Sequence, residues 1–419
     1  MTSALEGVRI ADFTQLYQGP LATQILSDLG AEITKFEPLH GDFFRRWSLG
    51  DAYIEGESVS FLAVNRNKKS ISLDLKSPEG LDIARRIIGE SDVVIENFRP
   101  GVMDRLGLGY EELAADLPDL IYCSSSGYGT TGPYANFPGQ DLLIQALTGT
   151  MWLNGRRDDP PTAVGFGLAD VAGGLHIVMG VLAALYERSM SGQGQKVEVN
   201  LLDSMFTLLL HEMTLYANTQ QNPERPKANT TAAFAGAPLG VYQTADGYIA
   251  IAMMPIAELA SVLGLRGLDG NLSSNDIPNR DEIHHKFEEH FMTAPAEAWL
   301  AILRDADVWC APVQTLQEAT FDPQVIHNEV FQDLSHPYFN GMKVVSPPIR
   351  MSRTPPAMRH AAPLLGQHTH SILRDAGYSE KEIELLENSR VISSIDSSIR
   401  SQGPHGEASS QHDGGGRSD

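Results

Sequence analysis

The chain has 419 residues, of which 42% are hydrophobic and 20% charged, a length beyond one usual hydrophobic core and a composition ordinary for a soluble globular protein. A formal net charge of −22 argues against nucleic acid or an anionic membrane as a partner, though not against an anionic substrate held by local cations. Cys123 and Cys310 alone cannot make a disulfide framework or a cysteine zinc site, and with no basic-then-apolar leader and no charge-free apolar run of spanning length, a cytoplasmic protein is expected.

Val8 to Phe13 reads as a strand, and Pro20 opens a helix over Leu21 to Leu29 that Gly30 ends. Glu32–Glu37 and Ile71–Leu75 read as the second and third strands. Ser77-Pro78-Glu79 starts a helix with Ile83, Ile87 and Ile88 on one face. Asp92–Glu96 and Leu120–Ser124 give a fourth and a fifth strand. Strands alternating with helices predict βαβ units, hence an α/β, doubly wound, Rossmann-like parallel sheet whose ligands bind beyond the carboxyl ends of the strands. The basic stretches Asn65–Ser70, Leu73–Lys76 and Glu96–Gly107 are either solvated faces or ligand contacts. Asn97-Phe98-Arg99 favours the second reading, because it follows a strand.

Gly127-Tyr128-Gly129-Thr130-Thr131-Gly132 matches the dinucleotide fingerprint, but Pro133 and Pro138 follow where a helix should open, so nicotinamide binding is not expected. Ser124-Ser125-Ser126 has no nucleophile-elbow pattern, and the scattered histidines have no metal-ligand spacing. In Pro160–Gly174 an apolar segment runs into Asp170, and a charge-free helical run from Val171 to Tyr186 follows. A helix apolar on most faces is expected to be buried. Asp170 would then lie at its buried N-terminus, where free N–H groups and the dipole favour a carboxylate over its acid. By residue type alone Asp170 is a cap.

Residues 1–200 form the first part of the large domain, and 201–228 a linker made of a long helix, Leu201 to Asn218, and a Pro-rich loop. A smaller α+β domain spans 229–320, with a hairpin of Val241–Thr244 and Tyr248–Ala252 and helices near Ile283–Phe291 and Ala296–Ala306. Residues 321–390 return to the large domain, and 391–419, almost without apolar residues, are expected to be disordered.

The segment Pro160–Leu185, with Gly192-Gln193-Gly194-Gln195, Val197-Glu198-Val199, the Glu96–Gly101 block, Pro347–Arg350 and Ala362–Thr369, resembles the class III coenzyme A transferases, the formyl-CoA and carnitine type. That family also contains the α-methylacyl-CoA racemases. The resemblance implies Asp170 as nucleophile and a CoA site lined by Tyr17, Gln18, Leu73, Lys76, Asn97, Phe98, Arg99, Arg105 and Gln140. It implies an acyl-CoA and a small carboxylic acid as substrates, no tightly bound cofactor, no metal, and an interlocked homodimer. Asp141 is the neighbouring carboxylate, with assistance to the chemistry and a structural role both open. Where formyl-CoA members carry an arginine after the second strand, this chain has Pro38. Where the racemases carry a proton-exchanging histidine and the glutamate that orients it, this chain has Gln140 and Gln243, and glutamine carries no proton near neutral pH. The implied activity is CoA transfer from an acyl-CoA, with succinyl-CoA a candidate donor, through an aspartyl intermediate. A racemase and a silent CoA-binding protein are the alternatives. One arginine of Arg45-Arg46 or Arg156-Arg157 is a candidate for the far carboxylate of a dicarboxylic acceptor.

Overall fold

The computed structural model describes residues 3–222, 224–229, 232–268, 277–337 and 339–395. Its centre is a seven-stranded sheet. Six strands run parallel in the order Lys68–Leu73, Glu32–Glu37, Arg9–Asp12, Val93–Glu96, Ile121–Ser126, Lys196–Asn200, and Ile392–Ser393 pairs antiparallel to the first of these. Along the chain the parallel order is third, second, first, fourth, fifth, sixth. The direction of winding therefore reverses between Arg9–Asp12 and Val93–Glu96, which opens the crevice where ligands of such sheets bind.

The sheet is buried on both faces, and strand alternation sorts its side chains. Val94 and Tyr122 join a core with Ile83, Ile88, Met103 and Leu108. Their neighbours Val93, Ile95, Ile121 and Cys123 join the opposite core with Leu26, Ile177 and Val181. The second core rests on the helix Leu168–Ser191, which packs on the helices Gln18–Asp28 and Leu201–Leu208. Leu168–Ser191 is long and apolar enough to cross a membrane by length and composition. Here it is the core helix of the sheet, but not buried on most faces as expected. Leu175, Met179, Tyr186 and Met190 are exposed, and their spacing puts them on one stripe.

Three differences from the sequence reading have physical causes. The third strand begins at Lys68 rather than Ile71, because the run Asn65–Ser70, apart from the exposed Lys69, is buried against tertiary partners. Arg66 pairs with Asp28 at 2.6 Å and donates to the Val345 carbonyl. Asn67 bonds Asp28 and the backbone of Ala357, Arg359 and His360. Lys68 is buried beside Asp12. These groups bolt the returning C-terminal segment to the sheet. The long helix after Leu201 is two helices, Leu201–Leu208 and Leu210–Thr219, that meet at Leu209. The ordered chain also runs past 390, where Ile392 is buried as the edge strand. Of the expected disordered tail, 396–419 lies outside the described residues.

A second unit has its own sheet, Cys310–Pro312, Tyr248–Ile251 and Gly240–Gln243, so the expected hairpin acquires a third strand. Tyr242, Ile249, Leu259, Phe287, Phe291 and Leu303 form its core. The returning chain then makes a hairpin, Phe331–His336 with Phe339–Val345, whose Leu334, Met342 and Val344 pack on Phe61 and Leu62.

Candidate active site

A cavity of about 680 Å³ opens at the winding reversal. One wall is Leu16, Tyr17 and Gln18, which follow Arg9–Asp12. A second is Asn97 to Pro100, which follow Val93–Glu96, and a third is Ser125 to Gly127, at the end of Ile121–Ser126. The floor carries Gln140, Asp141 and Asp170. Of the residues singled out in the sequence, Tyr17, Gln18, Asn97, Phe98, Arg99, Gln140, Asp141 and Asp170 thus converge on one space. Leu73, Lys76 and Arg105 are not among its lining residues. The Leu73 side chain is packed in the sheet core, and Lys76 and Arg105 are exposed elsewhere.

The turns that build this space are tied down residue by residue. Asn97 accepts from the Gln15 N–H at 2.8 Å and donates to the Gln15 carbonyl at 2.9 Å. Glu96 accepts from the Phe98 N–H at 2.9 Å. Burial, reinforced by Asp104, pushes the Glu96 carboxyl up to about 7 against that bond. Gly127 and Gly139 hold the legs of the intervening loop together, since a Cβ on Gly127 would lie 2.5 Å from the Gly139 Cα.

Asp170 is not the cap of its helix. The helix starts at Leu168 behind Gly167, and Asp170 is in its first turn. The capping carboxylate comes from another helix, Asp141–Leu147. Asp141 Oδ1 accepts from the Ala169 N–H at 2.6 Å and the Asp170 N–H at 3.4 Å. Its Oδ2 accepts from Gln145 at 2.6 Å, and Gln145 in turn accepts from the Val164 N–H at 2.9 Å. This reverses the electrostatic expectation. With the N-terminal amides taken by Asp141, Asp170 meets a second negative charge rather than free donors. Burial, and then Asp141, push its carboxyl up to about 7. Tyr17 responds to the same environment: burial, then Asp170 and Asp141, raise its phenol.

Gln18 brings an amide to this end of the helix. Its Nε2 is buried without a hydrogen-bond partner. A Cβ on Gly173 would stand 2.3 Å from that nitrogen, and Gly173, three residues past Asp170, shares its face.

The sequence reading missed an aromatic wall of Phe43, Phe44, Trp47 and Phe137, which lines the cavity with Phe98. A signal was present: three aromatics within five residues, just past the second strand's carboxyl end. None of the four arginines considered for an acceptor lines the cavity, and three of them are engaged elsewhere. Arg45 pairs with Glu37 at 2.6 Å, and its guanidinium lies 3.7 Å from the Phe61 ring centre. Arg157 pairs with Glu224 and Asp281. Arg156 donates to Asn229, and Arg46 is exposed. Among the described residues no three His, Cys, Asp or Glu side chains group as metal ligands would.

The family model for CoA-transferase family III matches residues 5–369. Succinyl-CoA:glutarate CoA-transferase of Mus musculus is 35% identical over 397 residues, 93% of this chain and 90% of that one. Formyl-CoA:oxalate CoA-transferase of Streptomyces coelicolor is 32% identical over 411 residues, 93% of this chain and 99% of the other. A crystal structure of a CAIB/BAIF family protein from Brucella suis superposes with a TM-score of 0.80 at 32% identity, covering 90% of this chain and 100% of that one.

Proposed function

We propose that this chain, which belongs to CoA-transferase family III, moves CoA from an acyl-CoA such as succinyl-CoA to a dicarboxylic acid by making and breaking bonds to Asp170. The observation that carries the reading is a carboxylate on a helix's first turn, in the crevice where ligands of such sheets bind, and raised to about 7 by burial and by Asp141. A more basic carboxylate is a better nucleophile, and half of it is ionised near neutral pH.

The chemistry balances without water or an added base. An Asp170 oxygen attacks the thioester carbonyl, the C–S bond breaks, and CoA leaves as thiolate from an acyl–aspartyl anhydride. The thiolate attacks the aspartyl carbonyl and expels the donor acid as carboxylate, leaving an aspartyl–CoA thioester. The acceptor carboxylate attacks that carbonyl and releases thiolate again. Thiolate then attacks the acceptor's acyl carbon and restores the Asp170 carboxylate. Each step exchanges one leaving group for one nucleophile, which is the advantage of a covalent route. The unpaired Gln18 amide is the donor at hand for the oxyanion formed at each attack. The aromatic wall supplies an apolar platform beside Asn97 and Arg99 for the nucleotide and its phosphates.

The relatives named above act on glutarate and oxalate, and another, of Haloarcula hispanica, is named for mesaconate. These names support a dicarboxylic acceptor here. Transfer from succinyl-CoA to a panel of mono- and dicarboxylates, with wild type and Asp170→Asn, tests the reading. Wild type is expected to form dicarboxyl-CoA, and the folded variant to lose transfer by several orders of magnitude. Full transfer by Asp170→Asn would overturn the assignment.

A further inference from the structure

The wall that carries Tyr17 and Gln18 begins with a residue in an unfavourable backbone conformation. Leu16 has φ +68, in the left-handed region, which a branched side chain rarely enters without outside support. The support is visible. The Thr14 N–H donates to Asp12 at 2.9 Å, and the Thr14 carbonyl accepts from Lys35 Nζ at 2.7 Å. Gln15 is bonded at both its N–H and its carbonyl by Asn97. The Leu16 N–H donates to Asp42 Oδ1 at 3.1 Å.

Asp42 acts in two directions at once. The same Oδ1 accepts from the Phe44 N–H at 3.0 Å and caps the turn Phe43–Arg46. Phe43, Phe44 and Trp47 form the aromatic wall of the cavity. Its Oδ2 pairs with Lys35 Nζ at 2.9 Å, both side chains fully buried. One oxygen therefore bonds both walls, and the buried ammonium fixes where that oxygen lies.

We propose that Asp42 is a positioning residue, held by Lys35, that keeps Leu16 left-handed and sets the spacing between the Tyr17–Gln18 wall and the aromatic wall of the CoA cavity. The proposal rests on the transferase reading only for what the cavity binds; the geometry is independent of it. Asp42 touches no reacting atom. A displacement of about 1 Å at Gln18 is enough to cost on the order of a hundredfold in rate.

A merely structural ion pair makes a different forecast, and two double variants separate them. Lys35→Met with Asp42→Asn removes both charges but keeps an acceptor for the Leu16 and Phe44 N–H groups. Lys35→Met with Asp42→Leu removes both charges and the acceptor. Neither leaves an unpaired buried charge, so both are expected to fold. Crystal structures and calorimetric CoA binding are the measurements. Both versions lose the Lys35 bond to the Thr14 carbonyl, so the difference between them reads the Asp42 acceptor alone. The Asn version is expected to keep Leu16 at positive φ and to bind CoA more tightly than the Leu version. In the Leu version the 14–18 turn is expected to leave that conformation and CoA to bind about tenfold more weakly. Adding Leu16→Asn, which tolerates the left-handed region, is expected to restore part of that loss. If Leu16 remains left-handed in the Leu version, the proposal is overturned whether or not the protein transfers CoA. If the turn moves as expected while wild type fails to transfer CoA, the transferase reading fails and the positioning role stands.

Discussion

At the scale of the residue, the sequence marked Asp170 and missed what governs it. One carboxylate between an apolar segment and a charge-free helical run reads by itself as a helix cap, and its role as nucleophile is implied only by the family resemblance. That Asp141 would take the helix's amides is a contact between positions 28 and 29 residues apart, and no local pattern announces it. The consequence is testable through pH. Because the ionised form attacks, kcat/KM is expected to rise with pH through about 7, where the Asp170 carboxyl titrates. Asp141→Asn keeps a capping oxygen but removes a charge. It is expected to move the acid limb of the profile to lower pH, and an unmoved limb would show that the Asp141 charge does not act on Asp170. Stability carries the same signature with a definite sign. With its folded value above the usual 3.8, Asp170 keeps its proton longer in the folded than in the unfolded chain. Its ionisation therefore costs stability progressively between about pH 4 and 7. Asp170→Asn should be unchanged at pH 4 and more stable than wild type at pH 8 by about 1–3 kcal/mol, allowing for partial exposure. Thermal unfolding at the two pH values checks this.

At the scale of the element, strands and helices with regular patterns were legible, and the irregular connections that build the cavity were not. The strand Val93–Glu96 is apolar and bounded by turns. The run Asn65–Ser70 reads as solvent-facing until Asp28 and Asp12 are placed beside it, because charges are buried only where tertiary partners exist. The loop after Ile121–Ser126 is glycine-rich in sequence, but the reason its glycines matter is a tertiary contact. Gly127 and Gly139 touch backbone to backbone, and neither has room for a methyl group. Gly127→Ala is expected to separate the loop's legs, to destabilise the fold by about 1–3 kcal/mol as other overpacked sites do, and to weaken CoA binding through Ser126 and Gln140. Calorimetry and thermal unfolding of this variant measure both. Unchanged CoA affinity would separate the loop from the site.

At the scale of the whole molecule, alternating strands and helices predicted a parallel α/β sheet, but not its order, and the winding reversal that opens the site depends on that order. The returning segment was placed from resemblance. Its attachment through Arg66 and Asn67 had no sequence signal, since the partners are nearly 300 residues away. The stripe Leu175, Met179, Tyr186 and Met190 is exposed on the core helix, and we propose that a second copy of the chain covers it. Light scattering at micromolar concentration is expected to give a dimer, and Met179→Glu with Tyr186→Glu to weaken it. A folded monomer of the wild type would contradict this. The central claim concerns a bond, and trapping tests it most directly. Wild type incubated with succinyl-CoA, quenched with hydroxylamine and digested is expected to carry a hydroxamate on the peptide containing Asp170, and Asp170→Asn none. A hydroxamate on another residue, or sustained transfer with no residue modified, would contradict it.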